Sequence, residues 1–196
     1  MDEQFEILIS SFLENKIGIS DNFLSDKLAN HLKTNLLKLN DQNHLTAAGT
    51  GNATAIIYNS FVRNDAIYWL DRVHDNRYEN DFFDLIDGFI KYLNMSCYAG
   101  ITGYEFHYSL YEIGSFYNKH LDQFQNNQSR TYSLISYLNE DWLEKDGGEL
   151  MIHQFENNQK ISPVQGKTVF FKSNELVHEV LVTHKRRMSI TGWLKK

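Results

Sequence analysis

The chain has 196 residues, 42% of them hydrophobic and 22% charged, the make-up of a globular protein with one well-buried core. Its formal net charge of −6 argues against a nucleic-acid partner, which calls for a basic excess or stripe; in the one basic cluster, "HKRR" at 184–187, Lys185 and Arg186 read as a solvated loop. A single cysteine, Cys97, excludes an internal disulfide framework, no apolar run reaches the roughly 18 residues of a membrane span, and the start "MDEQFEILIS" is acidic, so a cytoplasmic protein with no membrane partner is expected.

Phe5, Leu8, Ile9 and Phe12 recur at helical spacing and predict a first helix over 2–15. A second helix is expected to begin near Ser20 or Asp21, either of which can cap it, and to bury Phe23, Leu24, Leu28, Leu32, Leu36 and Leu39. Residues 42–60 are small, polar and dotted with glycine, so a loop leading into a short strand is predicted, with a strand-loop segment near 55–70. The "GTG" within it is too short for a phosphate-binding loop. "NATA", "NMSC" and "NQSR" match the glycosylation triplet but lack a secretory context. A third helix is predicted from about Glu79 to Leu93, with Phe82, Phe83, Ile86, Phe89, Ile90 and Leu93 inward.

After Cys97 the period changes. "YEFHYSLYE", "RTYSLISYLNEDW", "GELMIHQF", "KTVFFKS", "HEVLVTH" and "RMSITGWL" follow as short β-type runs separated by turn residues. Helices first and antiparallel strands afterwards predict an α+β class, a barrel or sandwich flanked by N-terminal helices. No repeat or linker divides the chain. A single domain over 1–196 is expected, with 1–95 mainly helical support and 97–196 the strand-rich part that carries the chemistry.

In "YNKHLDQF", 117–124, a strand would turn His120 and Asp122 to one face and present an imidazole beside a carboxylate. One such triplet is common by chance in a chain with this much histidine and aspartate, so the argument needs further residues. His178, in "ELVHEVLV", opens a β-like run. Two histidines and one aspartate make the three-ligand face that leaves open positions on octahedral Fe(II). His107, His153 and His184 are assigned no role.

In "RMSITGW", Arg187, Ser189, Thr191 and Trp193 share one strand face, while Met188, Ile190 and Leu194 share the other. An arginine, two hydroxyls and a tryptophan suit a ligand-lined wall, because a guanidinium grips a carboxylate through two parallel charge-assisted hydrogen bonds. The expected ligand is a small dicarboxylate whose other end chelates the metal. Met188 and Ile190 would pack on the helices.

The order His120-x-Asp122, "DGGEL", His178, Arg187-x-Ser189 resembles the 2-oxoglutarate- and Fe(II)-dependent dioxygenases with a double-stranded β-helix core. "YLNEDWLEKDGGEL" (137–150) and "RMSITGW" (187–193) are similar to the prolyl 4-hydroxylase branch. "FVRNDAIYWL" (61–70) resembles the Arg-x-Asp-x-Ile-x-Trp segment of the hypoxia-inducible-factor prolyl hydroxylases and their bacterial relatives. The resemblance covers about residues 60–195. Two stretches depart from it, 123–129 and 71–81, in regions that read the substrate.

The resemblance implies that His120, Asp122 and His178 bind iron, and that Asp122 separates the chain from halogenating relatives, where a halide takes the carboxylate's place. It further implies that Arg187 pairs with the distal carboxylate of 2-oxoglutarate and that Tyr137 adds a hydroxyl bond there. Ser189 belongs to that same wall, Tyr111 faces the chelating end and Trp193 closes one side. Asp65 and Arg130 are implied as an ion pair on the substrate side, Gly147 and Gly148 as backbone devices for a tight turn. The implied reaction hydroxylates a prolyl residue in a cytosolic protein, elongation factor Tu being a substrate of bacterial relatives, with succinate and CO2 as products and ascorbate as a reductant. Arg187, where collagen-type enzymes carry lysine, favours that branch. Other readings of the same residues are an oxygenase acting on a small molecule, a free amino acid or nucleic acid, and a non-catalytic metal-binding barrel.

Overall fold

Phe5, Leu8 and Ile9 lie on the buried face of a first helix, α1 (Asp2–Asn15), in a computed structural model that describes residues 2–49, 59–123, 128–154 and 158–196. Parts of the predicted 42–60 and 123–129 loops, and Phe155 of the 148–155 run, lie outside the described residues. The second helix, α2 (Asp26–Asp41), starts later than the sequence suggests: Ser25 is its cap, its hydroxyl accepting the Leu28 N–H at 3.3 Å. Residues Ile17–Ser20 form instead a strand, β1, paired antiparallel with β9 (Thr168–Lys172). That pairing satisfies backbone groups which a helix start would leave open. It also needs Gly18, since a Cβ there would overlap the Leu8 carbonyl and crowd α1 off the strand. Phe23 and Leu24 are buried, as expected, but from the turn before α2.

The third helix, α3 (Arg77–Cys97), outruns the predicted 79–93 at both ends. Asn76 caps it by accepting the N–H groups of Tyr78 and Glu79. Phe82, Phe83, Ile86, Phe89 and Leu93 are buried and Ile90 packs beside them. Phe5, Phe23 and Phe89 meet ring to ring where α1, the following turn and α3 converge. Each side chain so buried contributes on the order of 2 kcal/mol relative to exposure. Among the described residues no helix is long and apolar enough to cross a membrane.

The remaining strands are β2 (Thr46–Ala47), β3 (Ala66–Trp69), β4 (Gly103–Tyr111), β5 (Tyr117–His120), β6 (Arg130–Tyr137), β7 (Leu150–His153), β8 (Gln159–Ile161), β10 (Val177–Val180) and β11 (Arg187–Lys195). They pair antiparallel into a large sheet of order β1-β9-β6-β11-β4-β3-β2 and a small one of order β5-β10-β7-β8. Period two splits the large sheet's side chains. Phe106, Tyr108 and Leu110 of β4, Leu134 of β6 and Met188, Ile190 and Leu194 of β11 join the helices in one apolar cluster. From the opposite face Ile17, Ile135, Val169 and Phe171 pack against Leu150, Ile152 and Ile161 from the small sheet. Helices, large sheet and small sheet are thus three layers, the double-stranded β-helix core with helices on its outer face. Arg187, Ser189, Thr191 and Trp193 point between the two sheets, registered opposite Tyr111, Ser109, His107 and Glu105 of β4.

Candidate active site

His120 ends β5 and His178 is the second residue of β10; the two are directly paired across the small sheet, with ring centroids 4.2 Å apart. Asp122 is not in the strand with His120, as period two would have it, but in the bend after it. The bend turns its carboxylate back: Oδ1 lies 3.4 Å from His120 Nε2 and Oδ2 3.6 Å from His178 Nε2. One ligand atom from each of the three residues falls within 4.8 Å of the others, the one group of this kind among the described residues. The far nitrogen of each imidazole faces a backbone carbonyl, Nδ1 of His120 that of Asn118 at 2.7 Å and Nδ1 of His178 that of Leu176 at 3.0 Å. With the proton assigned to Nδ1 on those partners, both Nε2 lone pairs point at Asp122, as a metal requires.

The charges agree. Burial pushes His178 down to about 4, against the pull of Asp122, so it is a neutral ligand at ordinary pH. Burial disfavours the Asp122 carboxylate, but the neighbouring His178 and His120 imidazoles and the Ser133 hydroxyl outweigh it and hold its pKa well below the usual range. Ser133 Oγ donates to Asp122 Oδ2 at 2.6 Å and meets Ser173 Oγ at 2.9 Å. Two imidazoles and an anionic carboxylate on one side of a buried point fit a divalent metal that keeps positions open to small ligands.

Arg187 is 1% exposed, yet among the described residues no carboxylate meets it. Its Nε donates to the Gly148 carbonyl at 2.8 Å, its Nη1 reaches Ser189 Oγ at 3.4 Å, and its Cζ lies 4.9 and 5.1 Å from the ring centroids of Tyr111 and Tyr137. Gly148, at φ +65°, belongs to the tight turn; a Cβ there would crowd Thr183 and the Arg187 stem. Tyr137 is wholly buried with no hydrogen-bond partner on its hydroxyl, and burial pushes it up to about 12 against the pull of Arg187. A buried guanidinium with spare donors beside a buried, unsatisfied hydroxyl is unfavourable in an empty fold. The same pair suits the carboxylate of a small ligand. Tyr111, pushed strongly upward by burial and next by Asp65, stays a neutral phenol next to Arg187.

The expected Asp65–Arg130 ion pair is not made. Asp65 takes two bonds from Arg63, at 2.8 and 2.6 Å, because in extended chain residues two apart share a face. Arg130 bonds Glu105 at 2.8 Å, the Asp122 carbonyl at 3.5 Å, and lies 3.4 Å over the Trp193 ring. It therefore remains beside the site without Asp65. Trp193 is buried with an unpartnered indole N–H, its ring beside Trp69 at 6.3 Å and His107 at 5.6 Å.

Four residues near the site escaped the sequence reading. Ser133 shares a β6 face with Tyr137, a signal plain in "RTYSLISY". Tyr117 stacks on His120, three residues on. Trp69 and His107 come in through register, Trp69↔His107 and His107↔Thr191, which one sequence does not show. His153, by contrast, is satisfied by Glu179 at 2.8 Å.

Burial, then Arg63, lowers His107 from its ordinary value near 6.5 to about 4, so it is neutral in the fold. Between those pH values the unfolded chain binds a proton that the folded chain does not, and stability falls as pH drops. Over that interval this one group costs the fold about 3 kcal/mol. His107→Leu should lessen the stability lost between pH 7 and pH 4 by about that amount, measured by urea unfolding of metal-free protein; an unchanged slope would contradict a buried neutral His107.

The comparisons with known proteins agree with this geometry. Residues 106–195 match the family model of the 2OG-Fe(II) oxygenase superfamily. A Pseudomonas putida prolyl-4-hydroxylase superposes with a TM-score of 0.88 at 27% identity, over 98% of this chain and 98% of that one. A Trichoplax adhaerens prolyl hydroxylase, solved with a hypoxia-inducible-factor peptide fragment, shares the fold at TM-score 0.86 and 23% identity, over 99% and 90% of the chains. A Phytophthora capsici prolyl 4-hydroxylase does so at 0.80 and 19%, over 98% and 63%. With its double-stranded β-helix, its His-Asp-His cluster and the family match over residues 106–195, the chain is similar to the 2OG-Fe(II) oxygenases and, along nearly its whole length, to a prolyl 4-hydroxylase.

Proposed function

We propose that this oxygenase hydroxylates a prolyl residue of a protein substrate, with His120, Asp122 and His178 holding Fe(II) and Arg187 holding the far carboxylate of 2-oxoglutarate. The observation that carries the reading is the buried Arg187, paired with no described carboxylate, on the inner wall whose Ser133 bonds Asp122 of the His-Asp-His cluster. When bound, Fe(II) and 2-oxoglutarate supply the oxidising chemistry: one oxygen atom of O2 enters the substrate C–H bond, the other enters succinate, and CO2 leaves.

The chain's own residues bind, orient and exclude water. Arg187 and Ser189 fix one end of the co-substrate, Tyr137 offers its free hydroxyl there, and Tyr111 walls the other side as a neutral phenol. Asp122 stays ionised and His178 neutral, so neither must lose a proton on taking up metal. Trp193, Trp69 and Arg130 form the wall next to the substrate. The prolyl target is supported by the likeness to the Pseudomonas putida prolyl-4-hydroxylase over nearly the whole of both chains.

Candidate proteins, elongation factor Tu among them, incubated with enzyme, Fe(II), 2-oxoglutarate, ascorbate and air should gain one oxygen on a proline, seen by peptide mass spectrometry. Oxygen found only on free amino acids or small molecules would refute the protein substrate. Succinate release without any of these products would leave the oxygenase chemistry standing and the prolyl target refuted.

A further inference from the structure

We infer that Asp65, Arg63 and Tyr117 form a column that sets the plane of the His120 ring, which makes Arg63 and Tyr117 positioning residues for the metal. The inference deepens the proposed function and rests on His120 being an iron ligand. His120 and Tyr117 lie face to face, ring centroids 3.6 Å apart and planes within 14°. On the Tyr117 ring the Arg63 guanidinium is centred at 4.2 Å. Arg63 is itself locked by both oxygens of Asp65, whose side chain is fully buried. Three planar groups in a row, each fixed by the next, end on the imidazole.

His120 needs such a brace. It is the last residue of β5, and the pairing of β5 with β10 slips register between Tyr117 and His120. The hydrogen bond from Nδ1 to the Asn118 carbonyl holds one edge of the ring but leaves rotation about that bond open. Stacking removes this freedom. The backbone supports the column too: Arg63 and Tyr117 form an antiparallel bridge, Asn118 N donates to the Val62 carbonyl at 2.9 Å, and Phe116 N donates to Asn64 Oδ1 at 2.8 Å.

The test is Mn(II) binding to the metal-free protein, read from the loss of the free-ion signal in electron paramagnetic resonance, with no turnover involved. Tyr117→Leu keeps apolar bulk and loses the flat face, and should weaken Mn(II) binding about tenfold or more, the usual effect of losing a group that orients a ligand. Tyr117→Phe keeps the face and should rescue binding to near the wild-type value. Arg63→Lys keeps the charge beside Asp65 but loses the planar fork, and should weaken binding by roughly threefold to tenfold. Wild-type affinity in Tyr117→Leu, or a loss in Tyr117→Phe equal to that in Tyr117→Leu, overturns the inference. If Tyr117→Leu does not fold, Arg63→Lys decides: weaker binding supports the column and unchanged binding overturns it. Failure of the wild-type protein itself to take up Mn(II) or Fe(II) would instead refute the iron site.

Discussion

Replacing Arg187 by methionine should severely weaken 2-oxoglutarate binding while leaving the co-substrate-free protein as stable as before, or more so. In the protein as it stands the guanidinium is buried, bonded among the described residues to the Gly148 carbonyl and the Ser189 hydroxyl, and flanked by two tyrosine rings. Its remaining donors face no described carboxylate, so the fold carries a charge whose desolvation is not fully offset. Methionine fills most of that volume and removes the charge. Ordinary large-to-small changes in a core destabilise by about 2–5 kcal/mol, so an unchanged or raised Tm without ligand would set Arg187 apart from a structural arginine. With 2-oxoglutarate the comparison reverses. Losing one partner of a buried, hydrogen-bonded charge pair costs about 2–5 kcal/mol, so affinity should fall by roughly 30-fold to several thousand-fold. Wild-type protein in saturating Fe(II) gains about 2.7 kcal/mol at a hundred times the Kd of 2-oxoglutarate, and the variant should gain less than about 1 kcal/mol at that concentration. Anaerobic thermal unfolding with and without the co-substrate reads both effects. A ligand-induced rise in Tm preserved in Arg187→Met would remove Arg187 from the site.

The parts of this site that sequence reasoning reaches are those written in a period. Met188 and Ile190 against Arg187 and Ser189 is a plain alternation, and it assigned the outer face of β11 to the helices and the inner face to the ligand. His178 and Arg187 stand out because their chemistry is odd for a strand interior. The parts that escaped depend on partners distant in the chain or on a break in period. β1 is four residues long and wedged between helices; its pairing with β9, near the other end of the chain, makes it a strand. Asp122 lies beyond the end of β5, so the premise that turned it toward His120 was wrong and the bend does the turning. The resemblance led to Arg130 as the partner of Asp65, although Arg63, two residues away in an extended segment, was the local choice. His107 illustrates the remainder: it becomes part of the wall only when β4 is registered against β3 and β11.

Asp122→Asn is the sharpest test of the metal centre, because it keeps the shape and removes the charge. The carboxylate lies within 3.4 and 3.6 Å of the two Nε2 atoms and accepts from Ser133 at 2.6 Å. An asparagine can still accept from Ser133 through its carbonyl, but its amide N–H then faces an imidazole lone pair and competes with the metal. Only the two imidazoles would remain as good ligands for a dication. Fe(II) affinity should fall by more than about 100-fold, beyond the 10–100-fold expected for Ser133→Ala, which removes only the orienting hydrogen bond. Metal-free stability supplies a second reading of the same residue. Because the fold depresses the Asp122 pKa, its contribution is present above the unfolded value near 3.9 and is lost as pH falls toward the folded one. Asp122→Asn should therefore lose less stability than wild type on acidification below pH 4. Iron uptake by Asp122→Asn as tight as wild type, measured anaerobically, would mean that the three residues do not act together on one metal, and the oxygenase site would have to be sought elsewhere.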